Sequence, residues 1–168
     1  MLRWPDGECY NGGWWDGQRH GEGHYVWGGE GERGKCKNEY KGSWKYGKRH
    51  GYGVFTKLNG DVYEGNFGEN AYDGDGVLRK ANGDCFDGKF VKGGFLRGKA
   101  RETQDVGVGV GSGVRDPVVF TGNYVKGRKA GTGLEKHLKT GKVFKVEWRH
   151  GLKYANGEEL CCKKCVIF

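Results

Sequence analysis

The 168-residue sequence predicts an all-β fold, an open, elongated, single-layer twisted array of β-hairpins stacked in chain order and ending in a short flexible tail. Three observations predict it. Glycine supplies 35 residues, about 21% against an ordinary ~7%, while proline appears only twice. The longest glycine-free stretch before the tail is nine residues, Lys142–His150. Each interior glycine costs a helix about 1 kcal/mol, so helical bundles and doubly wound α/β enzymes are excluded. Aromatic residues number 23, whereas Leu, Ile, Val and Phe together make up only about 19% of the chain, so a core must be mostly aromatic. The third observation is an internal repeat, which organises nearly the whole chain.

The first unit is Tyr10, Gly12, Trp14, Gly17, Gly21 and Gly23, at offsets 0, 2, 4, 7, 11 and 13. The second repeats those offsets without a mismatch as Tyr40, Gly42, Trp44, Gly47, Gly51 and Gly53. The third is Tyr63, Gly65, Phe67, Asn70, Gly74 and Gly76. A looser fourth begins Phe86, Gly88, Phe90, Gly93 and then slips by one residue to Gly98. The fifth is regular again: Phe120, Gly122, Tyr124, Gly127, Gly131 and Gly133. The sixth is loose, running Phe144, Val146, Trp148, Gly151, Ala155 and Gly157. Residues 4–157 thus hold six units, with Gly-rich inserts at about 28–35 and 104–116 that read as loops or a hinge.

Within a unit, Tyr40, Gly42 and Trp44 alternate with Lys41, Ser43 and Lys45, the period of a strand with one buried face. The inward glycine leaves room for a ring to cross the backbone. Gly17, Gly47 and Gly127 supply a turn, and a return strand such as Tyr52–Phe55 closes the hairpin. One hairpin cannot close a core, so hairpins must stack. At ~4.8 Å per strand, six would extend on the order of 55–60 Å.

The segment Tyr40-Lys41-Gly42-Ser43-Trp44-Lys45-Tyr46-Gly47-Lys48-Arg49-His50-Gly51-Tyr52-Gly53 resembles the MORN repeat (membrane occupation and recognition nexus). The resemblance is specific in units one, two, three and five. It implies an array of β-hairpins serving as a scaffold, membrane-associated and sometimes self-associating. Some arrays of this family are fused to enzymes such as lipid kinases, and no room for such a domain remains here.

Motifs that mimic chemistry reduce to the repeat. Gly29–Gly34 fits G-x-G-x-x-G, but no helix can follow to meet a pyrophosphate. G-x-x-x-x-G-K ends at Lys35, Lys48, Lys89 and Lys99, never followed by the Ser or Thr that a P-loop needs for Mg²⁺. His20 and His50 share one repeat position, and no carboxylates pair as acid and base. Cys9 and Cys85 stand where other units carry Val62, Val119 and Val143, as small apolar packing residues. The sequence therefore predicts no catalytic residue, no cofactor and no metal site. Aromatics among basic residues also suit single-stranded nucleic acid, but their inward repeat positions make this the weakest reading.

Charge is divided unevenly. Residues 1–84 carry 12 Lys/Arg and 13 Asp/Glu, so the net charge of +8 belongs to the second half. There Lys126, Arg128, Lys129, Lys136, Lys139, Lys142, Lys145, Arg149, Lys163 and Lys164 are candidates to face an anionic membrane surface. No signal peptide or apolar span is evident, which points to cytosolic synthesis and reduced cysteines.

The sharpest local signal is the end, Cys161-Cys162-Lys163-Lys164-Cys165-Val166-Ile167-Phe168. Cys165-Val166-Ile167-Phe168 matches C-a-a-X, so Cys165 is the predicted prenylation site, after which Val166–Phe168 would be removed. One prenyl chain binds a membrane only marginally, and a second signal is expected. Cys161 and Cys162 are candidates for S-palmitoylation, and the basic half is the other candidate. Residues 158–168 are then a lipid-anchor tail.

The expected function is a non-enzymatic scaffold or adaptor, lipid-anchored on the cytoplasmic face of a eukaryotic plasma membrane or endomembrane. Protein partners of unspecified identity would bind the near-neutral half, with Trp15 and Tyr46, which lie off the core offsets, as contact candidates. The alternatives are a soluble array that homo-oligomerises through its edges, and, by family analogy, an accessory subunit of a phosphoinositide-modifying enzyme.

Overall fold

The computed structural model of the chain describes residues 1–27, 38–104, 117–149 and 151–153, together with the backbone of 158–160. Both Gly-rich inserts (save Gln104 at the edge of the second), Ala155, Gly157, Cys161, Cys162, Lys163, Lys164 and Cys165 lie outside the described residues. Every described element is a strand. The chain divides into two units, one formed by Met1–Ala81 with Asp87–Phe95 and the other by Asn82–Phe86 with Leu96–Phe168.

In the first unit a short strand β1 (Leu2–Arg3) pairs with β2 (Cys9–Trp15). Three hairpins then follow in order: β2 with β3 (Gln18–Val26), β4 (Glu39–Lys45) with β5 (Lys48–Thr56), and β6 (Val62–Gly68) with β7 (Ala71–Arg79). Successive hairpins pair antiparallel through β3–β4 and β5–β6. Strands β8 (Cys85–Val91) and β9 (Gly94–Gln104) contribute residues to both units. In the second unit β9 pairs β10 (Val118–Val125), which pairs β11 (Arg128–His137), which pairs β12 (Val143–Arg149). The far edge of β12 takes two short strands, β13 (Leu152–Lys153) and β14 (Glu158–Leu160). Each unit is an open antiparallel sheet with its strands in chain order, the all-β hairpin array that the repeat predicts.

The hairpins turn in two residues, both at positive φ. Tyr46 and Gly47 stand at 48° and 77°, Lys126 and Gly127 at 52° and 71°. This is the type I′ geometry whose twist matches the strands it joins. Here the turn requires glycine or a tolerant residue, and Asn70 fills the same place at 74°.

The core lies on one face. Tyr10, Tyr40, Tyr63 and Phe120 have no exposed surface, and each ring crosses the two glycines that follow it. A Cβ at Gly23 would sit 2.3 Å from the Tyr10 hydroxyl, and one at Gly53 2.5 Å from that of Tyr40. Glycine is needed there for space. Each ring also meets the next inward aromatic edge-on, as Tyr40 does Trp44 at 5.1 Å and Phe67 at 5.0 Å. Trp14 differs from Trp44: it is 47% exposed against 3%. Trp44 is covered by Tyr10 and Tyr25 of the preceding hairpin, whereas among the described residues the strand of Trp14 is preceded by the two-residue β1 alone.

Candidate functional site: the two faces of the hairpin array

On the inner face, the residue at offset 9 of the first, second, third and fifth repeats roofs the aromatic row. Arg19 places its guanidinium 4.4 Å from the centre of the Trp44 ring and 4.5 Å from that of Tyr25. Arg49 lies 4.5 Å above Phe55 and 5.5 Å from Phe67, and its Nη2 donates to the Asn70 carbonyl at 2.8 Å. Burial lowers the Arg49 pKa below its usual value. Tyr72 occupies the same position in the third repeat and stacks flat on Tyr63 at 3.8 Å. In the fifth repeat the position is Lys129, 4.2 Å above Phe120 and 4.7 Å above Trp148, with Glu102 at 3.7 Å. Desolvation lowers its pKa.

The backbone of this position also carries the link between repeats. The turn N–H of one repeat donates to the offset-9 carbonyl of the repeat before it: Gly47 to Arg19 at 2.9 Å, Asn70 to Arg49 at 3.1 Å, Gly93 to Tyr72 at 2.9 Å, and Gly151 to Lys129 at 3.2 Å. In the loose fourth repeat Leu96 takes over as acceptor for Gly127 at 2.7 Å, one residue late, as the slip to Gly98 requires. The offset-9 run of Arg19, Arg49, Tyr72 and Lys129 was visible in the sequence at the repeat spacing; the glycine and leading-aromatic template passes over it.

Two open clefts lie between neighbouring turns on this face. One, of about 420 Å³, is lined by Trp4, Trp14, Gly17, Gln18, Arg19, Tyr25 and Gly47. The other, of about 500 Å³, is lined by Glu102, Tyr124, Gly127, Arg128, Lys129, Trp148 and Gly151. Five positions correspond one to one: Trp14 with Tyr124, Gly17 with Gly127, Gln18 with Arg128, Arg19 with Lys129, and Gly47 with Gly151. The clefts are products of the repeat geometry. Tyr124 donates to the Glu102 carboxylate, and burial together with that bond raises the phenol above its usual pKa. Among the described residues no group of three or more His, Cys, Asp or Glu is placed to hold a metal ion.

The basic candidates divide. Lys129 is corrected: it is 6% exposed, folded over the aromatic core, and does not present its charge outside. Its place at offset 9 is the physical reason. Lys126 lies in the β10–β11 turn, Arg128 opens β11 directly after it, and Arg149 lies toward the same end of the strands, paired with Glu147 at 3.0 Å. Lys139 and Lys142 stand in the loop joining β11 to β12, at the opposite end. Lys136 and Lys145 point from β11 and β12 to the outer face, opposite in register to Val143 and Leu134. Trp15 and Tyr46 are 63% and 55% exposed.

The outer faces carry different charges. In the first unit Glu22, Glu39, Glu64, Asp73 and Asp75 alternate outward, with His24 2.8 Å and Lys41 3.0 Å from Glu39. In the second, Lys99, Arg101, Lys136 and Lys145 do so. On this face of the second unit lies a groove of about 220 Å³ lined by Arg101, Val119, Thr121, Leu134, Lys136, Leu138 and Val143.

These features define a repeat protein, an open antiparallel array of aromatic-cored hairpins joined turn to strand. The MORN repeat family model matches residues 10–31, 40–62 and 63–85, three successive units in the first half of the chain. No curated protein matches the chain.

Proposed function

We propose that this protein is a non-enzymatic scaffold, a MORN array held on the cytoplasmic face of a membrane by lipid on its tail. The observation that carries the reading is Cys165-Val166-Ile167-Phe168, which fits the C-a-a-X pattern that a prenyltransferase reads. Cys165 takes the prenyl group, Cys161 and Cys162 take palmitate, and the exposed lysines of the second unit add electrostatic attraction. The array needs no reaction chemistry for this role, since rigid hairpins offer continuous faces to a protein partner. The test is prenyl labelling with membrane fractionation in a eukaryotic cell, wild type beside Cys165→Ser. Label and membrane pelleting in the wild type alone support the anchor. A wild type that takes no label and stays soluble refutes it.

The open edge supports a second reading, a self-assembling soluble array. Strand β1 is two residues long and pairs only Cys9 and Tyr10, and its Leu2 and the Trp14 and Trp15 at the far end of β2 are 45%, 47% and 63% exposed. Unpaired edges invite pairing with another copy. Light scattering of the Cys165→Ser protein across concentration decides it: a strict monomer removes this reading.

A further inference from the structure

We infer that the outer face of the second unit docks an extended acidic segment of a partner protein, with an apolar residue set midway between two carboxylates. This deepens the scaffold reading, which leaves the partner unspecified, and it rests on that reading. Pairing register lays the site out as two rows that cross the strands. One row runs Arg101, Thr121, Leu134 and Lys145, the other Thr103, Val119, Lys136 and Val143. Both rows face away from the Phe120 ring, because side chains alternate along each strand. The groove of about 220 Å³ lies along them. Val119 and Val143, 7% and 2% exposed, form its floor, and Leu138 stands 47% exposed at its rim. Sites that engulf a whole small molecule run to about 300–1,000 Å³, so this groove takes a side chain of a longer ligand. A recessed floor suits such a side chain better than a flat bilayer.

Charge selects the sign of the partner. Arg101 and Lys136 line the groove, and Lys145 lies beside Leu134 in register. Arg101 donates one bond from Nη1 to the Gly83 carbonyl at 3.0 Å, which fixes the side chain and leaves its other donors. Among the described residues neither Lys136 nor Lys145 has an ion-pair or hydrogen-bond partner. Glu147, the next outward residue on β12, is matched by Arg149 at 3.0 Å. Three cations thus stand among apolar side chains with no acid of their own, and a carboxylate-bearing ligand complements them.

Register also sets the spacing within the partner. Arg101 and Lys145 end their row three strands apart, about 14 Å at ~4.8 Å per strand. An extended segment laid along the row advances ~3.3 Å per residue, so four residues cover about 13 Å. Residues i, i+2 and i+4 of such a segment share one face. The complement is therefore acid-x-apolar-x-acid. Its carboxylates meet Arg101 and Lys145, and its apolar side chain falls between Thr121 and Leu134, over the floor of the groove. Lys136, in the neighbouring row beside Val119, stands within the same field.

The test uses the full chain with Cys161, Cys162 and Cys165 all changed to Ser, so that no lipid contributes. The probe is a peptide with blocked ends and the core Glu-Ser-Leu-Ser-Glu, titrated while amide shifts are read by NMR. Saturable shifts at Thr121, Leu134 and Val143, weakened by added salt, are the expected result. Lys136→Glu and Lys145→Glu should each weaken binding at least about tenfold, while Lys45→Glu on the first unit leaves it unchanged. Thermal melts matching the parent show that the variants fold. Changes to the peptide leave the protein intact: Ser for the Leu, or Lys for both Glu, should each abolish the shifts. Equal binding by either altered peptide, or variants that bind as the parent does, overturns the proposal. So do phosphatidylserine vesicles or a second copy occupying the same residues in place of the peptide. Prenyl labelling of Cys165 in cells decides the anchor separately, so either idea can fail alone.

Discussion

The two units share an inner face and differ in how they finish it. In the first, the leading aromatics are Tyr10, Tyr40 and Tyr63, and each hydroxyl donates at 2.9 Å to the carbonyl three residues on, at Gly13, Ser43 and Asn66. Those residues stand at register shifts in β2, β4 and β6. In the second unit the leading residue of the regular repeat is Phe120, which has no hydroxyl, yet β10 also shifts register, one residue earlier in the repeat, between Thr121 and Asn123. A register shift therefore does not require the tyrosine bond. A ring crossing two glycines is common to all four repeats, and in the three tyrosine repeats the shift stands at the residue whose carbonyl accepts the hydroxyl. The roof differs in the same sense, Arg19 and Arg49 against Lys129, as does the charge outside.

The sharpest way to break the comparison is at the glycines. A Cβ at Gly42 would lie 2.5 Å from the Cα of Gly53 and 2.5 Å from the Tyr52 carbonyl oxygen, both backbone atoms of the paired strand. At Gly122 the nearest atom is Cζ of the Phe120 ring, at 2.4 Å, a side chain that can tilt. Gly42→Ala should cost about 3 kcal/mol or more, and Gly122→Ala about 1–2 kcal/mol, by urea denaturation with amide exchange read in each unit. Equal costs would mean that ring and backbone contacts count alike.

The roof residues come next. Arg49 touches several rings and donates to Asn70, so Arg49→Met loses a planar cation and a hydrogen bond, about 2 kcal/mol. Lys129→Met keeps the apolar stem over Phe120 and Trp148 and removes a desolvated charge, while Glu102 retains the Tyr124 bond. Its stability should stay within about 1 kcal/mol of wild type by the same measurement. A loss at Lys129 as large as that at Arg49 would give the ammonium the structural importance of the guanidinium.

Lys129 also marks where the sequence stopped being legible. The strands, their turns and the buried Tyr10, Tyr40, Tyr63 and Phe120 follow from spacing, because alternation and glycine position are local properties. Even the slipped fourth repeat declares itself, since Gly98 arrives late and Leu96 takes over the inter-repeat bond. Exposure of a lysine is not local. Lys129 and Lys136 sit on one strand, seven residues apart, so alternation puts them on opposite faces, while which neighbours each one meets is set by the pairing of β11 with β10 and β12. The groove itself depends on four strands meeting in register, with Val119 beside Lys136 and Lys136 beside Val143. No single segment encodes it.

The smallest effect separates the units by pH. Tyr40→Phe should cost about 1 kcal/mol at neutral pH, the ordinary worth of the bond to Ser43. Above pH 10 the variant should narrow that gap. Burial raises the phenol of Tyr40, and pushes those of Tyr25 and Tyr63 up to about 12, while an unfolded tyrosine ionises near about 10. Between those values the folded chain binds more protons than the unfolded one, so stability falls as pH rises. Removing Tyr40 removes its share of that fall. Lys129 acts the other way: its lowered pKa makes the unfolded chain the better proton binder just below 10.5, and the second unit gains stability as pH climbs to that value. Melting curves from pH 9 to 11.5 for wild type, Tyr40→Phe and Lys129→Met read both signs. The wild type should lose Tm most steeply above pH 10, with Tyr40→Phe shallower and Lys129→Met losing the compensating rise. Parallel curves for all three would mean that alkaline unfolding starts from groups other than these.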